Sequence, residues 1–227
     1  MPSSSCAKLF LHQAGQSGST PARVSNSSDI LEAKRALRAR IKAWRAGLGA
    51  DVQARAAAVV AEQGLGFLEP RREGAVVSGF AALAEEFRAW PLLRRLHAEG
   101  FALAMPAMQG KGKPLLFRAW APGDAMDSGV WGIAEPKADK AALEPDILIV
   151  PLLAFDRRGW RLGYGGGFYD RTLEALRTRK AVVAVGLAHD EQEVDAVPHL
   201  DYDQRLDWVL TPSGPVRCQH DASVVPR

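Results

Sequence analysis

The chain has 227 residues, enough for one good-sized core, and its 47% hydrophobic and 24% charged residues are the balance of an ordinary globular domain. A formal charge of +3 favours anionic partners only weakly and does not argue for nucleic acid. Two cysteines, Cys6 and Cys218, exclude a disulfide scaffold and fit a reducing cytoplasm, and the longest apolar run, 147–155, falls far short of the ~20 residues of a membrane helix.

Residues 1–28 are rich in Ser, Gly, Gln and Asn and hold a single arginine, Arg23. They read as a disordered N-terminal extension, with a transit peptide or an over-called start as the alternatives. Asp29 with Glu32 forms a capping box, and Leu37, Ile41, Trp44 and Leu48 recur at steps of four, three and four, which predicts an amphipathic helix ending at Gly47–Gly49. A second helix is expected over 51–62, a buried strand over 75–83, a helix within 87–100 halted by Gly100, and strands over 101–106 and 114–120. Residues 146–156 are almost entirely apolar, as a parallel strand covered on both faces must be. A helix over 169–180 and strands over 181–188 and 206–211 complete the alternation, leaving 213–227 as a peripheral tail. The pattern is that of a single α/β domain, residues 29–212, with a mostly parallel sheet.

Residues 161–171, "RLGYGGGFYDR", place glycine at 163, 165, 166 and 167. Glycine contributes no packing and has a high backbone entropy to lose, so the run needs a reason. It follows the most apolar strand and opens a helix, where α/β folds bind phosphates through bare amides and the positive helix end. It is neither a Walker A loop, lacking Gly-Lys-Ser/Thr, nor a dinucleotide fingerprint, because Phe168 stands where the third glycine belongs. A phosphate loop and a structural turn both remain open. Arg157, Arg158, Arg161 and Arg171 are available as side-chain cations.

Other residues carry two readings as well. Asp170 is either an acid stabilised at a positive helix end or a ligand for Mg²⁺ on a nucleotide phosphate. Lys34, Arg38 and Arg45 share one helix face and form either a solvated basic edge or a set of phosphate-binding cations. "GKGKP", 110–114, reads as a turn between strands, and His199 as a hydrogen-bonded structural group.

Taken together, "KRALR" (34–38), "WGIAEP" (131–136), "PLLAFDRRGWRLGYGGGFYDR" (151–171) and "VPHLDYDQRLDWVLT" (197–211) make the chain resemble the 5-formyltetrahydrofolate cyclo-ligase family. The resemblance implies a three-layer α/β/α fold and an enzyme that uses ATP and Mg²⁺ to convert 5-formyltetrahydrofolate to 5,10-methenyltetrahydrofolate, ADP and phosphate. It implies ATP binding by Lys34, Arg35, Arg38 and the stretch Arg161, Leu162, Gly163, Tyr164, Gly165, Gly166, Gly167, Phe168 and Tyr169. Within that stretch, Arg161, Gly165 and Gly166 would act on the reacting groups, and residues 164–168 would also meet the folate. Asp170 and Asp207 match magnesium positions, Glu86 an acid that contacts folate, and Trp131 an aromatic placed against it. The family often follows its folate-contacting glutamate with Asp-Thr, whereas this chain has Arg88 and Ala89, so Glu85 is the alternative to Glu86.

The expected partners are therefore two small molecules, with no nucleic acid or membrane, and the expected state is a cytoplasmic monomer. Two rivals stand beside this reading. An enzyme of the same fold class acting on a sugar phosphate or coenzyme A ester would need a catalytic acid/base or covalent glutamate at the sheet edge, and no candidate matches the glycine loop. A non-catalytic basic relative binding nucleotide or RNA would need clustered Lys/Arg with exposed aromatics, but here most arginines are interleaved with acids.

Overall fold

A computed structural model describes residues 27–68, 74–83 and 85–220. The expectations for residues 1–26 and 221–227 lie outside the described residues. Helix α1 (Ser27–Ala46) begins before Asp29, so Asp29 sits in the first turn, favoured by the positive helix end rather than capping it. Helix α2 (Ala50–Gln63) and strand β1 (Val76–Ser78) follow. Helix α3 (Trp90–Ala98) has Pro91 at its start, where no amide donor is missed. Strands β2 (Ala102–Met108) and β3 (Leu115–Ala119) flank the 110–114 turn, closed by the Lys113 amide on the Gly110 carbonyl at 3.3 Å. A ribbon of β4 (Met126–Ser128) and β5 (Ala134–Pro136) comes next, and no alternation in its short strands announced it.

The apolar run 146–156 is not one strand. Strand β6 (Ile147–Pro151) ends at its proline, and the chain folds back as a small hairpin of β7 (Ala154–Phe155) and β8 (Arg161–Leu162). Buried Asp156 builds the turn: its carboxylate accepts from the amides of Arg158, Trp160 and Val197 and from the Arg158 guanidinium. Helix α4 (Phe168–Arg177), β9 (Val183–Leu187), β10 (Trp208–Thr211) and β11 (Gly214–Arg217) complete the chain. Residues 214–217, expected in a peripheral tail, thus add an antiparallel edge strand to the main sheet.

The seven-stranded sheet has the order β11-β10-β9-β6-β1-β2-β3, parallel from β10 to β2 and antiparallel at both edges. Successive residues of β6 alternate between its faces. Ile149 packs with α2 and α3, whereas Leu148 and Val150 pack with Leu173 and Leu176 of α4. The result is the three-layer α/β/α arrangement. Helix α1 belongs to neither layer; its Ile41, with Leu37 and Trp44, seats on Leu153, Ala154 and Leu162 of the hairpin.

From β1 the chain winds one way to β2, and from β6 it winds the other way to β9. Such a switch opens a crevice beyond the carboxyl ends of the two strands, the usual ligand position in open α/β sheets. Space is tight just beside it. A Cβ on Gly186 of β9 would come within 2.6 Å of Leu152 and 2.7 Å of Leu206, both buried. Gly186→Ala should therefore overpack the α4 face and lower unfolding stability by about 1–3 kcal/mol in urea titration.

Candidate active site

Beyond the β1 and β6 ends lies a cavity of about 580 Å³, in the range that takes a cofactor-sized ligand. It is lined by α1, by the segment after β1, by the β4–β5 ribbon, by the glycine loop and by the loop that carries Tyr202 and Asp203. The glycine loop is held from outside. Arg38 Nε donates to the Gly163 carbonyl at 2.8 Å, Arg45 Nη2 to the Tyr164 hydroxyl at 2.9 Å, and Arg171 Nη2 to the Gly166 carbonyl at 2.7 Å. Gly165 (φ +106°) and Gly167 (φ +65°) lie in the left-handed region, where a side chain would be strained. None of the amides of residues 164–167 donates to a protein acceptor among the described residues. A loop with its Gly163 and Gly166 carbonyls occupied, the amides of 164–167 free and a helix start behind it has the groups an anion cradle needs.

Charged groups of both signs line the cradle. Lys34, nearly buried, pairs with Asp203. Arg161, on β8, donates to Asp170 at 2.8 Å and to the Gln204 carbonyl. Its burial lowers its pKa from the ordinary arginine value, with the Asp170 and Asp203 charges opposing the shift. Burial likewise lowers Arg38, against the pull of Asp203. The Gln204 amide donates to the same Asp170 oxygen, so the 203–204 segment and the start of α4 are locked side by side. The result is two carboxylates, Asp170 and Asp203, among three cations.

The predicted site residues divide plainly. Lys34, Arg38, Glu86, Trp131, Asp170 and all of 161–169 line the cavity. Lys34 and Arg45 are not a solvated edge, because both are buried. Arg35 is exposed and outside the lining. Arg157 pairs with Glu193 and Arg158 with Asp156, away from the cavity. Asp207 is also elsewhere. It precedes β10, at the amino end of a parallel strand, and accepts from Arg177 at 3.0 Å and from the Ala184 amide at 2.8 Å. That is the sheet end opposite the crevice, and Asp203, four residues earlier, is the carboxylate that reaches it.

Of the two glutamates, Glu86 lines the cavity, whereas Glu85 is exposed and outside its lining. Glu86 is buried and accepts from the Leu83 amide at 2.8 Å. Trp131 stands at the tip of the β4–β5 ribbon with φ +59°, 73% exposed, its edge toward Phe168 at 6.0 Å between ring centroids. A bulky residue in that backbone region is strained, and strain of this kind gathers at binding sites. His199 stacks on Trp160 at 3.8 Å with its Nδ1 3.1 Å from the Val197 carbonyl, a structural role that fixes the loop leading to Asp203.

This geometry has known counterparts. A profile of the 5-formyltetrahydrofolate cyclo-ligase family matches residues 30–212. The chain belongs to that family. A 5-formyltetrahydrofolate cyclo-ligase of Haemophilus influenzae is 34% identical over 179 residues, covering 77% of this chain and 95% of that one. An Escherichia coli K12 relative of the same name is 38% identical over 142 residues, covering 60% and 78%. In fold, the chain is similar to the 5,10-methenyltetrahydrofolate synthetase of Aquifex aeolicus, with a TM-score of 0.68 and 25% identity over 85% of this chain and 96% of that one. A Mycoplasma pneumoniae synthetase structure shares the fold at TM-score 0.61 and 20% identity, covering 79% and 98%. Among the described residues no helix is long and apolar enough to cross a membrane.

Burial raises the Glu86 pKa above its ordinary value of 4.5, opposed by the Leu83 amide and the Arg45 charge. A carboxyl with a raised folded-state pKa stabilises fully below its unfolded value and loses that contribution as pH rises through the folded one. Wild type should therefore lose stability upward from about pH 4.5 that Glu86→Gln, which still accepts from Leu83, keeps. Thermal melts of both across pH 4–8 should show the variant gaining relative Tm as pH rises, and a flat difference would contradict the burial of an ionised carboxylate here.

Proposed function

We propose that this chain is a 5-formyltetrahydrofolate cyclo-ligase that transfers the ATP γ-phosphoryl to the formyl oxygen and closes the methenyl ring, with Mg²⁺ as the metal. The observation that carries the reading is the free-amide glycine loop set among Lys34, Arg38 and Arg161 in one cavity with Glu86 and Trp131.

A formyl group on nitrogen is a poor electrophile because amide resonance feeds its carbon. In the proposed sequence the formyl oxygen attacks the γ-phosphorus, the bond to the β,γ-bridging oxygen breaks, and ADP leaves. The folate N10 then adds to the activated carbon, its proton passes to solvent, and the carbon–oxygen bond to phosphate breaks. The protein supplies position and charge neutralisation rather than covalent chemistry. Lys34, Arg38 and Arg161 face the phosphoryl oxygens, and the amides of 164–167 bind the charge that develops on them. Glu86 and Trp131 hold the folate, the first through its polar edge and the second against a ring face.

The donor set suits magnesium. No group of three or more His, Cys, Asp or Glu able to cage a metal occurs among the described residues. Magnesium is commonly held by one or two carboxylates together with phosphate oxygens and waters, and Asp170 with Asp203 provides the two. Bound there, the ion would neutralise phosphate charge. This reading replaces Asp207 with Asp203.

The absorbance of methenyltetrahydrofolate, followed with and without ATP and magnesium, tests the proposal. Product should form only with both, and its absence from folded protein under every condition would leave a non-catalytic binding module. Asp170→Asn and Asp203→Asn should each lower turnover by about 10²-fold or more, as the loss of a charge-stabilising group does. Asp207→Asn should instead lower stability with turnover and magnesium dependence unchanged, and the reverse pattern would return the metal to Asp207.

A further inference from the structure

Five of the eight large hydrophobic side chains exposed among the described residues line this one cavity: Leu31, Leu83, Trp131, Tyr164 and Tyr202. Single exposed apolar groups need no explanation, but their gathering at one cavity does. Two of them lie beside Lys34 and Asp203. Leu31, 47% exposed, precedes Lys34 by three residues, close to one turn toward the start of α1. Tyr202, 64% exposed, adjoins Asp203, and its ring centroid lies 5.9 Å from the Lys34 ammonium. Both therefore border the Lys34–Asp203 pair, whereas Trp131 meets Phe168 at the start of α4.

We infer that Leu31 and Tyr202 form the seat for the nucleoside base, the Tyr202 ring stacking on it and Leu31 supplying the apolar contact. The inference rests on the nucleotide-dependent reading proposed above. With phosphates at Lys34, Arg38 and the loop, the ribose and base would continue past the Lys34–Asp203 pair, where Leu31 and Tyr202 stand exposed on the same cavity. A π-face and an aliphatic contact at that exit are what a base requires, and stacking on an aromatic is tolerant of which base is present. Tyr202 is open to solvent apart from its approach to Lys34, and its loop is anchored separately through the Leu200 amide on Asp203 at 2.7 Å and the His199–Trp160 stack.

The test uses titration calorimetry with a non-hydrolysable ATP analogue and, separately, inorganic tripolyphosphate, both with magnesium, on wild type, Tyr202→Ala, Tyr202→Phe and Leu31→Ser. Tyr202→Ala should weaken the analogue about tenfold, the size of one lost base–aromatic stack, and Tyr202→Phe should bind like wild type. Leu31→Ser should weaken the analogue in the same direction. Tripolyphosphate, which has no base, should bind all four proteins alike. An unchanged affinity of Tyr202→Ala for the analogue overturns the inference. So does a parallel loss for tripolyphosphate, which would mean that the ring acts through Lys34 on phosphate. If wild type forms methenyl product while Tyr202→Ala binds the analogue normally, the reaction stands and only the base seat falls. If wild type binds no analogue at all, both fall.

Discussion

The site depends on one constraint: a loop whose amides must stay free cannot hold its own shape. Residues 164–166 are exposed, so water can serve their amides in the free protein, but a run of glycines has little to fix its conformation. Here arginines from outside the loop take the alternatives away. Arg38 occupies the Gly163 carbonyl, Arg171 the Gly166 carbonyl and Arg45 the Tyr164 hydroxyl. Two of the three come from α1, which explains why that helix lies across the hairpin instead of joining a layer. Its apolar stripe, Leu37, Ile41 and Trp44, fixes the distance at which those guanidiniums work.

Arg45 shows what that arrangement demands. It is 2% exposed, gives Nη1 to the Leu152 carbonyl at 3.2 Å, and leaves Nε without a partner. Burying an arginine so incompletely satisfied is unfavourable unless something nearby offsets its charge. The nearby Arg45 charge favours the ionised form of Glu86, although burial outweighs it. The residue that tethers the loop and the residue proposed for the folate thus feel one another's charge across the cavity wall.

Much of this was legible in the sequence, for reasons that can be named. The alternation of helices with apolar strands gave the layers, because a sheet buried on both faces leaves its mark on every residue of a strand such as Ile147–Val150. The loop stood out because successive glycines are otherwise unexplained. What failed were judgements that depend on distant partners or on direction. Arg45 looked solvated because its partners lie 107 and 119 residues away. Arg157 and Arg158 looked available because the hairpin that uses them was hidden inside a run read as one strand. Asp207 entered as a magnesium position through the resemblance, and Asp203 was not weighed; Asp207 stands at the amino end of its parallel strand, the end away from the crevice. The sequence reading had placed Asp207 inside a strand over 206–211, which hid that it precedes β10. Trp131 was reached through resemblance alone, since three-residue strands are too short for any period to show.

The charge arrangement also bears on why nucleotide and metal would be taken together. Without ligand the cradle is already paired, Lys34 with Asp203 and Arg161 with Asp170, so its buried charges are compensated. A polyphosphate arriving alone would draw the two cations toward its oxygens and leave two carboxylates facing an anion, and a divalent cation alone would strand the cations in the same way. Only an anion and a cation together give every member of both pairs a new partner of opposite sign. On this view the ion pairs are placeholders: they keep buried charges from being stranded in the free protein and set the two halves of the ligand as a single binding event. The same logic explains why Arg38 binds a backbone carbonyl rather than an acid. It holds the loop open without a direct ion pair, and on the proposed function its charge would help attract the polyphosphate.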